Sequence, residues 1–430
     1  MTRIGLMMGV ALVALAACGD RKLVLTGERL NLQAESTADV NRSAPISLPG
    51  AVSLASWTHK GSAPDHSKPH VSFSANPSLV LSVPIGQGED RKHRITATPV
   101  VADGRVFTVD SRARVMAHTT GGQPLWSAQV SPASEPVDDA SGAGLAVSGG
   151  TLYVSTAFGQ LLALDAATGQ RRWVQDLGSP ASGAPTVSGG TVYVVGRDAT
   201  AWAIDTTNGR VKWTEQGTPT IAGVSGGASP AVSGDTIVLP FGSRELKGLL
   251  PGGTTRWTSN VAGTRLGAVY AGIGDISGDP VISGNTIYAG SPSGRTNAFS
   301  LGSGEQLWSA KDGAMSPVAV AGGSVFTVSD QAELVRLDAA TGERIWGTEL
   351  PFFKKNRITR REAVFAHYGP VIAGGRLWVG SSDGVLRSFD PVTGALAGQV
   401  ELPGGAATNP VIVNQTLYIV SKTGRLLAFR

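Results

Sequence analysis

Cysteine is almost absent from this 430-residue chain, which contains only Cys18. An intramolecular disulfide and a zinc site built from several cysteines are therefore impossible. Charged residues are also scarce, at 16% of the chain, and their formal balance is only +4. That bias is too small to indicate a nucleic-acid partner. No long stretch repeats apolar residues at the i, i+3, i+4 spacing of an amphipathic helix, so we expect helices to be nearly absent.

The N-terminus carries an uncharged apolar run, Ile4 to Ala17, directly after Arg3. It is shorter than the about 20 residues that a membrane-spanning helix needs, and its layout is typical of a bacterial secretion signal. The sequence at its end, Leu15-Ala16-Ala17-Cys18-Gly19, resembles a lipobox, in which the cysteine is lipidated before the signal is removed. We therefore predict a signal peptide at 1–17 and a lipid on Cys18. A cleaved signal with an incidental cysteine is the alternative.

The residue after Cys18 bears on the membrane to which the chain is anchored. Lipoproteins kept in the inner membrane of many bacteria carry Asp there, whereas this chain has Gly19. By resemblance to that sorting rule, we expect an anchor in the outer membrane, facing the periplasm. Residues 18–56 form a polar stretch with little periodicity, and we interpret them as the lipidated cysteine and a flexible tether. As a random coil, the tether spans on the order of 35 Å.

An internal repeat fills most of the remaining chain, and such a period decides the architecture. The frame Asp-x-x-Thr-Gly followed by Trp is clearest from Asp165 to Trp173 and recurs from Asp205 to Trp213 and from Asp338 to Trp346. Weaker copies end at Trp126, Trp257 and Trp308. In such a corner the Asp accepts backbone N–H bonds and the Gly takes a left-handed conformation. The Trp then fills the wedge between adjacent sheets.

Each copy follows two short runs of β-branched residues, separated by a turn such as Gly189-Gly190 that predicts a tight hairpin. Similar turns occur at Asp103-Gly104, Gly149-Gly150, Gly234-Asp235, Gly284-Asn285, Gly322-Gly323, Gly374-Gly375 and Asn414-Gln415. Each unit therefore supplies four strands. A seventh unit has Gly398 in place of the Trp, and an eighth stops at Arg430 after three strands. We expect Leu79–Gly86, with Leu81 at the Trp position, to supply the missing strand.

The predicted fold is all-β: an eight-bladed β-propeller of four-stranded antiparallel blades over residues 57–430, with the last blade completed by an N-terminal strand. Ring closure is expected to protect strand edges that would otherwise promote aggregation. We therefore expect the chain to be monomeric within a hetero-complex.

The Asp-x-x-Thr-Gly repeat resembles that of the quinoprotein-type, or PQQ-like, propellers. Together with the lipobox, the single eight-bladed domain and the segment that opens at Trp57, it resembles the BamB family, lipoproteins of the outer-membrane β-barrel assembly (BAM) complex. The resemblance implies a non-catalytic scaffold without a cofactor. It also implies docking on the central, BamA-like barrel component and binding of unfolded outer-membrane proteins.

The same resemblance implies where docking occurs. In that family the docking surface combines a loop before the fourth blade with an acidic loop before the fifth, and these correspond to residues 221–227 and 271–279. The implied partner-binding residues are Val224 and Ser225 in the first loop and Asp275, Ser277 and Asp279 in the second. Val224 and Ser225 stand where the family has a Leu-Arg pair, so this chain departs from the pattern there.

Two enzymatic hypotheses have weaker support. Quinone-dependent dehydrogenases share the repeat, but they need calcium ligands, a catalytic Asp and commonly a disulfide between adjacent cysteines, which this chain cannot form. Gly223–Gly227 matches the hydrolase G-x-S-x-G pattern only formally, because that motif works at a strand-to-helix turn. A ligand-binding periplasmic propeller and a lipoprotein of cell-wall upkeep remain as non-enzymatic alternatives.

Two polar clusters complete the candidate sites. His59, His66 and His70 lack a spacing that would aim them at one metal ion, so we predict solvated loop histidines. Five cations lie within eight residues of the connection between the sixth and seventh units: Lys354, Lys355, Arg357, Arg360 and Arg361. They are predicted either to contact anionic lipid or an acidic partner, or to form a solvated loop. Both hypotheses stay open.

Overall fold

Short antiparallel strands make up the fold in a computed structural model that describes residues 41–430, apart from 221–225, 262, 264, 266–274, 356, 358–360 and 362. The described part contains 32 strands and no helix. It therefore contains no helix that is long and apolar enough to cross a membrane. The first strand in sequence is β1 (Leu79–Pro84).

The remaining strands follow in groups of four, which we number as blades 1 to 8. Blades 1 and 2 contain β2 (Val100–Ala102), β3 (Arg105–Val109), β4 (Arg114–Thr119), β5 (Pro124–Gln129), β6 (Ala143–Ser148), β7 (Thr151–Thr156), β8 (Gln160–Asp165) and β9 (Arg171–Asp176). Blades 3 and 4 contain β10 (Thr186–Ser188), β11 (Thr191–Val195), β12 (Thr200–Asp205), β13 (Val211–Gln216), β14 (Ala231–Ser233), β15 (Thr236–Pro240), β16 (Glu245–Leu249) and β17 (Thr255–Asn260).

Blades 5 and 6 contain β18 (Gly278–Ser283), β19 (Thr286–Ser291), β20 (Arg295–Ser300), β21 (Gln306–Ala310), β22 (Ala319–Ala321), β23 (Ser324–Val328), β24 (Glu333–Asp338) and β25 (Arg344–Glu349). Blades 7 and 8 contain β26 (His367–Ala373), β27 (Arg376–Ser381), β28 (Val385–Phe389), β29 (Leu396–Glu401), β30 (Val411–Val413), β31 (Thr416–Ser421) and β32 (Arg425–Phe429), with β1 as the fourth strand of blade 8.

This arrangement confirms the predicted eight-bladed propeller. Every blade is a four-stranded antiparallel sheet, and the last has the order β1-β32-β31-β30. First strands of neighbouring blades contact each other around the axis, as β2 and β6 or β14 and β18 do, whereas the fourth strands have the alternating exposure of an outer surface. Leu81 pairs with Ala428 in the register in which Trp173 pairs with Ala163, so the predicted Trp position of β1 is confirmed.

Six tryptophans link neighbouring blades. Each lies on the fourth strand of blades 1 to 6 and donates its indole N–H, over 2.8–3.3 Å, to a carbonyl at the corner of the next blade. The ring covers the glycine of that corner, as Trp126 covers Gly169, where a Cβ would come within 2.5 Å of the ring. Since Gly169 also has a φ of +74°, glycine is required there for two reasons.

Blade 7 has Gly398 at the position of the tryptophan, and the topology of blade 8 explains the difference. The next blade has no corner of this kind, because β32 pairs with β1, which comes from the N-terminal part of the chain. The N-terminal segment occupies this side of blade 7 instead: Phe73 meets Trp378 edge-on at 5.1 Å, and Arg376 donates to the carbonyl of Ala75. On the other side of blade 8, Leu81 packs over Gly122 of blade 1.

A second N-terminal element, which we call the axial strap (residues 54–73), follows the inside of the ring. It contacts the first strand of each blade, or a residue close to one end of that strand, in the order 8, 1, 2, 3, 4, 5, 6, 7. The contacts are Leu54 with Asn414, Trp57 with Val101, Thr58 with Val147, His59 with Val187, Pro64 with Val232, Asp65 with Ile282, Lys68 with Pro317, and Val71 with Ile372. One segment of 20 residues therefore ties all eight blades together.

The described part of the predicted tether, residues 41–56, differs from the expectation of a free chain. Arg42 N donates to Ile345 O over 2.9 Å on the outer edge of β25, and Arg336 donates to Ala44 O. Ile46 and Leu48 pack against the core of blades 6 and 7. Apolar side chains and an unpaired strand edge therefore hold this stretch on the propeller. Residues 18–40 of the predicted tether lie outside the described part.

The outermost strands contradict the expectation that ring closure protects the strand edges. Because each blade is a separate sheet, its fourth strand pairs on one side only, so ring closure does not remove these edges. Charged side chains on β9, β13 and β17 oppose pairing with another chain. β1 and β5 carry no charge and expose Val80 and Leu125 at 54% and 45%. The monomeric state stays a prediction.

Candidate functional site

The loops between successive blades all lie at one end of the ring, because four antiparallel strands return the chain to the end where it started. We call this end the inter-blade face. The opposite end, the hairpin face, carries the tight turns and the Asp-x-x-Thr-Gly corners. The described residues of the two loops implied in docking, 226–227 and 275–279, and those of the basic connection at 350–366 therefore belong to the inter-blade face.

The central channel opens on the inter-blade face as a cavity of about 490 Å³, which we call the axial cavity. Its walls are the residues that begin the innermost strands, including Thr98, Ser316 and Asn409. Lys60 reaches the cavity from the axial strap. The volume is within the range of sites that bind small molecules or single side chains.

The rim of the axial cavity combines aromatic and cationic side chains. Phe352 and Phe365 come from the basic connection, and Lys422 comes from the turn between β31 and β32. Burial, followed by the nearby charge of Lys354, lowers the pKa of Lys422. Burial also raises the pKa of Tyr368, which stays neutral under ordinary conditions.

Below the cavity, a buried charged cluster joins the axial strap to blade 5. Lys60 Nζ lies 2.9 Å from Asp279 Oδ1, and Ser229 N donates to the same oxygen over 3.0 Å. His66 Nδ1 lies 4.0 Å from Asp279 Oδ2. Burial lowers the pKa of His66 and lowers that of Lys68 to about 7. A fold keeps such a cluster only where the charges compensate one another.

Two of the three histidines predicted to be solvated are buried, so that prediction is wrong for them. His59 is 2% exposed and accepts a hydrogen bond from Val187 N, and His66 is fully buried against the carbonyl of Pro280. His70 is partly exposed and bridges Pro49 and Gly375. The polar sequence around them indicated a loop, but this loop lies inside the ring. Within the described residues, no three His, Cys, Asp or Glu side chains are grouped as a metal site would require.

The residues implied in docking have unequal positions. Asp275 and Ser277 are each 7% exposed, Asp275 accepts a hydrogen bond from Ile276 N, and Ser277 lines the axial cavity. Asp279 is 1% exposed and belongs to the internal cluster, so its carboxylate is not on the accessible surface. Val224 and Ser225 lie outside the described residues, as does Cys18.

The basic connection is placed on the inter-blade face only in part. Lys354, Lys355, Arg357 and Arg361 are exposed, whereas Arg360 lies outside the described residues. The Arg361 guanidinium stands over the Phe353 ring at 4.8 Å, a distance typical of a cation–π contact. Lys354 lines the axial cavity, which the sequence did not indicate.

The fold and its repeats define a quinoprotein-type, eight-bladed β-propeller. The sequence profile of the family described as outer membrane protein assembly factor BamB matches residues 111–348, more than half of the chain. The chain belongs to the BamB family.

Individual relatives agree with this assignment. BamB from Legionella pneumophila is 26% identical over 214 residues, 49% of this chain and 52% of the relative. The alignment with BamB from Shewanella oneidensis spans 42% of that protein. The chain therefore spans about half the length of these two relatives. BamB from Salmonella typhimurium is 28% identical over 84% of this chain and 90% of its own length.

Solved structures agree on the fold. BamB from Moraxella catarrhalis superposes with a TM-score of 0.68 at 22% identity, covering 83% of this chain and 100% of that chain. A europium-containing methanol dehydrogenase has the same TM-score at 14% identity and covers 85% of this chain and 90% of its own. Because an assembly factor and an enzyme superpose equally well, the likeness concerns the fold alone.

Proposed function

We propose that this chain is a non-catalytic binding subunit of the outer-membrane β-barrel assembly complex, which aids insertion of β-barrel proteins. The observation that carries the proposal is the match of the BamB family profile to residues 111–348, within a ring that is complete. The proposal includes a lipid on Cys18 that anchors the chain to the periplasmic side of the outer membrane.

The inter-blade face is the proposed docking surface for the BamA-like central component. It includes Gly227 and Ser277, which lead into the first strands of the neighbouring blades 4 and 5. Lys60 links the two loops by donating to Gly227 O at 3.3 Å and Asp279 at 2.9 Å. Asp279 therefore supports the loops from within, while their outer residues meet the partner. The exposed cations of the basic connection offer a further contact to lipid or to an acidic partner.

The outer strand edges are the proposed binding sites for unfolded outer-membrane proteins. An extended chain can add to an unpaired edge through main-chain hydrogen bonds. Arg42 already uses the edge of β25 in this way by donating to Ile345 O. The edges of β1, β5 and β21 favour a client most, because they carry no charge and expose apolar side chains.

Affinity purification of the lipidated protein from gently solubilised membranes tests the docking proposal. The paired variants are Asp275→Arg on the inter-blade face and Asp235→Arg on the hairpin face, which make the same change in charge. We expect the barrel-assembly components to co-purify with the wild type and Asp235→Arg and to be lost with Asp275→Arg. Thermal unfolding of each variant shows whether the fold is retained.

If those components are absent from the wild-type sample while the rest of their complex is preserved, the proposed function is wrong although the propeller fold remains. If both variants retain the components equally, the assembly function stands but the docking surface lies elsewhere.

A further inference from the structure

The axial cavity has more cationic side chains than carboxylates to pair with them. Three ion pairs at or beside its walls are complete: Arg94 with Glu89, Lys60 with Asp279, and Arg265 with Asp330. Among the described residues, neither Lys354 nor Lys422 has a carboxylate within 4.0 Å, and Lys422 Nζ donates to the carbonyl of Ser382. Lys354 and Lys422 line the same cavity, and two such cations on one rim provide a place for an anion.

Polar groups deeper in the cavity also lack protein partners. Thr98, Ser316 and Asn409 are 5%, 4% and 7% exposed, and each lines the cavity. Asn409 Oδ1 accepts from Gly369 N, but its amide N–H groups make no hydrogen bond within the described residues. The same holds for the hydroxyls of Thr98, Ser316 and Tyr368. These groups face the cavity, where water or a ligand can serve as their partner.

The remaining surface of the cavity is apolar. Phe352 and Phe365 line it, and Met315 and Val364 are exposed at 44% and 48% on the same rim. Apolar walls beside convergent polar groups are the usual features of a site for an organic ligand. Inorganic phosphate would leave these walls uncovered, and a hydrocarbon would leave the lysines without a counter-charge.

We propose that the axial cavity binds an apolar carboxylate. The carboxylate group lies between Lys354 and Lys422, and the hydrocarbon part lies against Phe352, Phe365 and Met315. Two sources share this chemistry: a free aromatic or aliphatic acid, and the C-terminal residue of a polypeptide. The inference does not depend on docking to the assembly complex, because it rests only on residues of the cavity.

Isothermal titration of the lipidated chain in a nonionic detergent tests the proposal. The probes are 3-phenylpropionate, the peptide Gly-Ser-Gly-Phe with a free carboxyl terminus, and the amide of each. We expect saturable binding of both acids at millimolar concentrations or below, with the amides at least about tenfold weaker, because a charge-assisted hydrogen bond is lost. Lys422→Gln should weaken binding of the acids by a similar factor.

Lys212→Gln is the matched control, since this lysine lies on the outer strand of blade 3, away from the cavity. It should bind both acids as the wild type does. If the peptide acid binds at least about tenfold more tightly than phenylpropionate, the natural ligand is a chain terminus, and equal affinities indicate a free acid. The proposal is overturned if neither acid binds, if the amides bind as well as the acids, or if a folded Lys422→Gln variant keeps full affinity.

Discussion

At the scale of single residues, burial changed the role of the acidic loop. The resemblance to BamB implied that Asp279 is a docking residue, but its carboxylate compensates Lys60 and lies close to His66 and Lys68 inside the ring. Loss of partner binding in an Asp279 variant would therefore report on the fold as much as on contact with a partner. Asp275 is not part of this ion pair, but at 7% exposure its variants also need a measurement of the fold.

Asp279→Asn should strongly destabilise the protein. The substitution keeps the size of the side chain but leaves Lys60 buried without a counter-charge, which costs about 3–5 kcal/mol in comparable buried pairs. Urea unfolding measures this change. Asp235→Asn is the control, because the Asp235–Arg256 pair is exposed and should contribute at most about 1 kcal/mol. Equal effects of the two substitutions would contradict the assignment of Asp279 to a structural cluster.

At the scale of elements, the N-terminal segment links blades 7, 8 and 1, as tryptophan and corner residues link neighbouring blades elsewhere in the ring. β1 completes blade 8, Phe73 packs against Trp378 beside Gly398, and the axial strap contacts all eight blades. The loss of Trp at Gly398 is therefore not a defect in ring closure. Closure depends on a segment that precedes the first repeat.

Deleting residues 41–75 should weaken the ring although β1 remains. Trp57, Val71 and Phe73 are buried in the core around blades 7, 8 and 1. Burial of each side chain stabilises by about 1.5–3 kcal/mol, so we expect the midpoint of thermal unfolding to fall by about 10 °C or more. Circular dichroism during heating measures the midpoint. Deletion of residues 19–40 should leave it unchanged, and a similar midpoint for both deletions would show that the strap is dispensable.

At the scale of the whole molecule, the buried histidines give the protein a dependence on pH. Burial, helped by the nearby His66, lowers the pKa of His59 from 6.5 to about 3. Between these two values the unfolded chain binds a proton that the folded chain does not. The free energy of unfolding therefore falls as the pH falls through this window. Lys68, with a pKa of about 7, acts in the same direction at higher pH, since the folded chain holds its proton less tightly.

His59→Gln should reduce this loss of stability in acid. The amide oxygen can still accept from Val187 N, but glutamine takes up no proton, so the variant should lose about 3 kcal/mol less than the wild type between pH 7 and pH 4. Urea unfolding across that range measures the difference, with His70→Gln as the control on a partly exposed histidine. Parallel pH profiles for wild type and His59→Gln would show that His59 does not carry the effect.

The ring could be predicted from the amino-acid sequence: the number of blades, the corners, the tight hairpins and the place of Leu81 in the last blade were all predicted correctly. These features are local, because a turn such as Gly189-Gly190 or a corner such as Asp165 to Gly169 sets its conformation from adjacent residues. The repeat then multiplies each signal, so one motif decided the architecture of most of the chain.

What lies inside the ring could not be predicted from the sequence and is visible only in the folded protein. The segment from Trp57 to Phe73 has the composition of a surface loop. Nothing in it indicates that the innermost strands of the eight blades surround it. The burial of His59 against blade 3, the pairing of Lys60 with Asp279 and the placement of Lys354 and Lys422 at one cavity each join residues far apart in sequence. Such contacts depend on closure of the ring, and a local pattern carries no record of them.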